Sequence, residues 1–267
     1  MYEFAFHRAA DLDAAASLLA NADDGRVIAG GQTLVAAMKL RLSAPSDLVD
    51  ISGIASLAGI RVERGAVVIG AMTTHAAVAA SADVLRAIPA LADLAGTIGD
   101  RMVRNRGTIG GSVANNDPAA DYPAAVLALG ATVITTQRSI TADDFFTGMY
   151  ETALEPGEII TAVSFPIPRR AGYAKFPNPA SRYALAGVFV ADFETGVRIG
   201  ITGGGGGVFR DAAFEEALTR NFSPAAIEGL SVYVESLSGD LHASAEYRAH
   251  LVGVMAKRAV TAALADR

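Results

Sequence analysis

Residues 104–130 read RNRGTIGGSVANNDPAADYPAAVLALG, and the rest of the chain arranges itself around this stretch. Its second half reads as a helix. Asp121 stands near the N-cap, Pro123 falls in the first turn, an alanine- and leucine-rich run follows, and Gly130 is the stop. Ahead of it lies Thr108-Ile109-Gly110-Gly111, whose glycines predict a turn with backbone angles closed to other residues. N–H groups bare of side chains, beside a helix N-terminus, suit a phosphate or another polar ligand. A second turn of this kind lies upstream, where the strand-like residues 26–29 run into Gly30-Gly31-Gln32-Thr33. Thr33 is placed to cap a helix over residues 34–42. Neither turn carries the G-x-G-x-x-G spacing of a dinucleotide fingerprint.

Outward from these turns, alternating Tyr2, Phe4 and Phe6 read as a strand, and Asp11 caps the helix after it. Residues 47–51 form another strand, and residues 59–63 and 67–70 a hairpin turning at Arg64-Gly65. Thr73 or Thr74 caps a helix, and Pro89 opens one that runs to about residue 95. Strands are predicted over residues 131–136 and 158–165, with a loop around Asp143-Asp144-Phe145-Phe146 between them. Pro166, Pro168 and Arg169-Arg170 then punctuate the chain and set a domain boundary at residue 170. Beyond it come strands over 184–193 and 196–202, the glycine run 203–207 as a connector, a helix over 211–220, and a helix start at Ser223-Pro224. A long amphipathic helix over 245–265 ends the chain, its apolar stripe read as core.

Composition narrows the chemistry. The chain has 267 residues, 51% of them hydrophobic, enough for one large domain or two modest ones. Its net charge of −6 argues against a nucleic-acid partner, which needs a basic face. No apolar run reaches the roughly 18 residues of a transmembrane helix, and the N-terminus lacks the pattern of a signal peptide. A cytoplasmic protein is expected. Cysteine is absent, which excludes disulfides, thiolate nucleophiles and cysteine-ligated iron–sulfur clusters in this chain. His7, His75, His242 and His250 show no metal-ligand spacing, and no G-x-S-x-G elbow is present. Any redox or group-transfer chemistry must therefore come from a cofactor.

The motifs carry a resemblance. AGGQT at 29–33, TIGG at 108–111 and NDPAADYPA at 116–124 closely resemble the FAD-binding medium subunit of the molybdenum hydroxylases, the group of bacterial carbon monoxide dehydrogenases and xanthine dehydrogenases. LVDI at 48–51, VVIGAMTTH at 67–75 and LEPGEIITAVSFPIP at 154–168 agree in order. KFPNPASRYALAGVFVADF at 175–193 and AEYRAHLVGVMAKRAV at 245–260 resemble the family's C-terminal domain. The run of five glycines departs from the pattern.

The resemblance implies an α+β chain: a two-subdomain FAD-binding domain of the PCMH type over residues 1–170, then a smaller α+β domain of the carbon monoxide dehydrogenase flavoprotein type over 171–267. It implies that Ala29, Gly30, Gly31, Gln32 and Thr33 form the first pyrophosphate loop, and Thr108, Ile109, Gly110 and Gly111 the second. Ser112 falls where relatives often carry Asn. Asp121 matches an acidic residue that binds the flavin, Lys175 a basic flavin contact, and Tyr183 a tyrosine near the isoalloxazine. Ile98 and Ile160 match apolar cofactor contacts. The molybdenum cofactor and 2Fe–2S clusters would sit in partner chains, a large and a small subunit, assembled as a dimer of heterotrimers.

On this reading the chain is a flavin-dependent oxidoreductase subunit that passes electrons from partner iron–sulfur clusters through FAD to an external acceptor. The residues alone leave two alternatives open: a self-contained flavin reductase of the same fold, and a non-catalytic scaffold in which both glycine turns are structural.

Overall fold

Three short strands, Ala5–Arg8, Gly25–Ile28 and Asp47–Asp50, form a parallel sheet with the third in the middle. The structure, a computed structural model, describes residues 1–265. Parallel neighbours require crossovers, and the helices Leu12–Ala20 and Leu34–Lys39 supply them. Asp11 caps the first by accepting from the Ala14 N–H at 2.8 Å. The first strand begins at Ala5 rather than Tyr2, and Tyr2 and Phe6 point outward. Ala15, Val49, Ile51 and Ile54 form the small core of this unit.

A five-stranded antiparallel sheet follows, in the order Ile60–Glu63, Ala66–Gly70, Ile160–Pro166, Thr132–Thr135, Ser139–Thr141. Its first hairpin turns at Arg64 and Gly65, both in the left-handed region at φ 50° and 76°. Val67, Ile69, Val163 and Phe165 alternate along their strands and bury one face against Val78, Leu91, Ile109 and Val126 of the covering helices. Thr74, not Thr73, caps the helix His75–Ala80. Two helices absent from the sequence reading, Arg101–Arg106 and Ile109–Asn115, fill the span up to the helix Tyr122–Ala128. Residues 142–145 close as a helical turn where a loop was predicted.

The last sheet is antiparallel, Arg170–Pro177, Ala184–Phe193 and Gly196–Thr202. Its first strand begins where the prolines and arginines had read as pure punctuation. The helix Ala245–Ala265 covers one face, placing Leu251, Met255 and Val260 against Val188 and Val190. The intervening residues Phe189 and Ala191 enter the neighbouring core with Tyr122 and Leu129. The central strand is thus a wall shared by two cores, which is why it reads as a continuous apolar run. Pro224–Ile227 is only a 3-10 turn. No helix among the described residues is long and apolar enough to cross a membrane.

Candidate functional site

A cavity of about 480 Å³ opens between the two glycine segments. Ala29, Gly30, Gly31, Gln32 and Thr33 line it from one side, and Thr108, Gly110, Gly111 and Ser112 from the other. Ile98, Asp121, Ile160 and Tyr183 complete the predicted set on its walls. Two predicted residues do not reach it. Ile109 is fully buried in the core beneath, and Lys175 lies behind Asp121.

The first segment behaves as a turn. Gly31 sits at φ 70°, and a Cβ on Gly30 would stand 2.1 Å from the Arg106 carbonyl oxygen, so the segment needs its glycines. The N–H groups of Gly31, Gln32 and Thr33 donate to no acceptor among the described residues. Thr33 makes no side-chain cap, contrary to expectation. Its hydroxyl meets Tyr183 instead.

The second segment differs from the predicted turn. Thr108 caps the helix Ile109–Asn115, and Gly110 and Gly111 lie inside it with ordinary helical backbone. Its N–H groups are already taken: Ile109 donates to Thr73 O at 3.1 Å, Gly110 to Ala71 O at 2.9 Å, and Gly111 to Thr108 Oγ1 at 3.2 Å. Glycine is required here for closeness rather than for φ. A Cβ on Gly110 would meet Ala71 Cβ at 2.6 Å, and one on Gly111 would stand 3.0 Å from Thr108 Oγ1, with Ala29 Cβ 3.8 Å away across the gap between segments.

Asp121 occupies the predicted N-cap position of the helix Tyr122–Ala128, but its side chain does not act as a cap. Its backbone is already helical, at φ −77° and ψ −47°. The carboxylate accepts from Lys175 Nζ at 2.9 Å and from the Tyr173 hydroxyl, and the side chains of Asp121 and Lys175 are 5% and 6% exposed. Lys175 Nζ also donates to Thr97 O at 3.0 Å, just before Ile98 on the cavity wall. Burial pushes the Asp121 carboxyl above its usual range, and Lys175 and Tyr173 offset only part of that. The C-terminal strands fix the loop before Asp121, since Thr202 Oγ1 donates to Ala120 O at 2.7 Å and Gly203 N–H to Pro118 O at 2.8 Å. A Cβ on Gly200 would stand 2.1 Å from Ala124 O, so strand and helix touch backbone to backbone.

Tyr183 reaches the cavity rim from the C-terminal side and is 42% exposed. Partial burial, then Asp117, Tyr150 and Asp121, push its phenol above the usual range. Arg182 beside it and Tyr150 both take positive φ, at 63° and 57°; strained backbone of this kind clusters at functional sites. His75, Asp117, Leu154 and Arg182 also line the cavity. No spacing in the sequence marks them, because they arrive from four separate segments.

Against known proteins, residues 2–168 match the model described as "FAD binding domain in molybdopterin dehydrogenase". The chain belongs to this family. It is a flavin-dependent oxidoreductase of the medium-subunit kind, and FAD is its cofactor. Among its relatives, the nicotine 6-hydroxylase medium subunit of Paenarthrobacter nicotinovorans is 37% identical over 95% of each chain. The carbon monoxide dehydrogenase medium chain of Afipia carboxidovorans is 36% identical over 98% of this chain and 97% of that one. In a solved structure of reconstituted CO dehydrogenase from Oligotropha carboxidovorans, the matching chain superposes with a TM-score of 0.91 at 34% identity, covering 99% of both chains. The α+β architecture implied by the motifs is therefore that of this FAD-binding family, C-terminal sheet included.

Proposed function

We propose that the chain holds FAD in the cavity between residues 29–33 and 108–112, and serves as the electron-transferring subunit of a heteromeric molybdenum hydroxylase. The observation carrying this reading is the convergence of two glycine-bearing segments on one cavity, one of them with unbonded N–H groups at Gly31, Gln32 and Thr33. A diphosphate needs such donors, and the net-acidic chain offers little bulk positive charge. The fit extends to the walls: Ile98 and Ile160 are apolar surfaces for a ring, and Asp121 is a buried acceptor for hydroxyl or ring N–H groups. Ser112 and Thr108 add hydroxyls beside the second segment.

Lys175 acts one step back, tying Asp121 to the 97–98 segment and holding the carboxylate in place. Tyr183 stands over the opening from the C-terminal side. The chemistry supplied by bound FAD is electron transfer from partner iron–sulfur clusters to an external acceptor. A helix N-terminus stabilises an anion by about 0.3–1 kcal/mol, up to about 2 when sheltered, whereas nanomolar affinity corresponds to about 12 kcal/mol. The two backbone segments are therefore insufficient alone, and burial of the apolar ring supplies the larger share.

The same reading divides the chain into an FAD-binding domain over residues 1–170 and a C-terminal domain over 171–267. It places the protein in the cytoplasm, and the molybdenum cofactor and 2Fe–2S clusters in a large and a small partner subunit, two heterotrimers forming the assembly. Purification of the chain from its native host tests this. Flavin absorbance bands, with a molybdenum-containing and an iron–sulfur chain co-purifying, are expected. A colourless chain that takes up no added FAD, or an isolated chain that hydroxylates an aldehyde or purine unaided, would refute it.

A further inference from the structure

We infer that His75 is a further binding residue for the cofactor, donating its Nε2–H to the diphosphate; this rests on the assignment of the cavity to FAD. His75 opens the helix His75–Ala80 and is 5% exposed. Two backbone links stitch it to the second glycine segment: its N–H donates to Gly107 O at 3.0 Å, and Thr74 forms a bridge with Thr108. The ring lines the cavity and packs tilted against Tyr122, 5.4 Å between centroids.

The two ring nitrogens have different surroundings. Nδ1 is enclosed with no hydrogen-bond partner. Nε2 looks onto Gly107, where a Cβ would stand 2.6 Å from it. Gly107 Cα is in turn 2.8 Å from where a Cβ on Gly30 would be. Nε2 therefore lies where the two backbone segments come together, and both positions are kept clear of side chains.

A neutral imidazole carries one N–H. On Nδ1 that proton would be a buried donor with nothing to bond. On Nε2 it leaves Nδ1 a bare acceptor and aims a donor at the cavity, the less costly arrangement. Burial and the neighbouring Arg104 guanidinium hold the imidazole pKa down to about 4, so the ring is neutral near pH 7. Arg104 itself is anchored to the carbonyls of Ile98 and Gly99 at 2.9 and 3.1 Å. Among the described residues no group of acidic, histidine or cysteine side chains gathers as a metal site. A donor without a partner, facing a backbone cradle, calls for an acceptor oxygen on the ligand.

The test compares the full-length chain, stripped of flavin, with His75→Phe, which keeps the ring contact to Tyr122, and His75→Gln, which keeps an N–H near the Nε2 position. Affinities for FAD and for riboflavin, which lacks the diphosphate, are measured by fluorescence. His75→Phe is expected to weaken FAD binding by about tenfold or more, to leave riboflavin unchanged, and to be largely rescued in His75→Gln. Equal FAD affinity in His75→Phe and the parent would overturn the role of His75, as would equal losses for FAD and riboflavin. A parent chain that binds no FAD would instead sink the assignment of the cavity. Should His75→Phe fail to fold, nitrogen-15 spectra of the parent's histidines decide. The His75 Nε2–H should shift and become protected from exchange on FAD addition; signals that do not move would overturn the inference.

Discussion

Replacing Lys175 with methionine removes the cation facing Asp121 while keeping most of the volume of the side chain. Both partners are almost wholly sealed from solvent, with side chains 6% and 5% exposed, so the discount that applies to surface ion pairs does not apply here. Breaking a buried pair by deleting one partner costs about 3–5 kcal/mol, since the other charge is left uncompensated. At about 2–4 °C per kcal/mol for a chain of this size, the melting midpoint should fall by about 6–20 °C. The pH dependence gives a sharper signature. Burial already holds the Asp121 carboxyl above 3.8, and losing Lys175, the largest opposing influence, raises it further. A raised carboxyl favours the protonated fold. The deficit of the variant should therefore shrink as pH falls through the raised value and be least below 3.8. Asp121→Asn added to Lys175→Met should recover much of the loss at neutral pH. The assay is thermal unfolding of the cofactor-free, full-length chain across pH. A Lys175→Met midpoint within about 2 °C of the parent at pH 7 would show that the pair is not desolvated as described.

Three further outcomes follow. Burial pushes Glu158 up, but hydrogen bonds from Arg138, Thr135 and the Glu155 N–H more than offset it and hold the carboxyl near pKa 2, against 4.5 ordinarily. Glu158→Gln should thus cost about 3 kcal/mol at neutral pH, a difference lost as pH falls from 4.5 to 2, measured by urea unfolding. Gly111→Val, whose side chain would enter the gap toward Ala29, should give soluble protein poor in flavin, whereas Gly110→Val, driven into the Ala71 backbone, should fail to accumulate as folded protein; flavin absorbance per mole of soluble chain distinguishes them, and a flavin-replete Gly110→Val would contradict the packing. Tyr183→Ala should lose at most about tenfold in FAD affinity, aromatic contacts being worth about 0.5–1.5 kcal/mol, yet alter flavin reoxidation in stopped flow; traces identical to the parent would place Tyr183 away from the ring.

Legibility in the sequence tracked how local each signal was. The hairpin at Arg64-Gly65, the Asp11 cap and the Gly31 turn are set by neighbouring residues, and each was readable. Asp121 shows the opposite case. Standing just ahead of a helix with Pro123 behind it, it has the local signature of a cap, and its role is set instead by Tyr173 and Lys175, which lie far along the chain. The pair Gly110-Gly111 was found for the wrong reason. Glycine signals freedom in φ and close approach alike, and only the position of Ala71 distinguishes the two. His75 showed only the absence of metal-ligand spacing and a place at the end of the 67–75 motif, because what sets it apart is spatial: Nδ1 is enclosed without a partner and Nε2 stands beside Gly107. The strand Arg170–Pro177 hid behind prolines at 166 and 168 that end the previous strand rather than interrupt the chain.

The wall formed by the strand Ala184–Phe193 has a consequence for the order of events during synthesis. The loop 118–120 is shaped by Thr202 and Gly203, which leave the ribosome more than 80 residues later. Until then both glycine segments can form, but Asp121 meets water and the core around Tyr122 and Leu129 lacks Phe189 and Ala191. On the proposed assignment, the nascent chain has a place for the phosphates before it has a closed room for the flavin. Stable capture of the cofactor therefore waits for residues 184–203, and a chain ending at residue 168 should bind FAD only in passing.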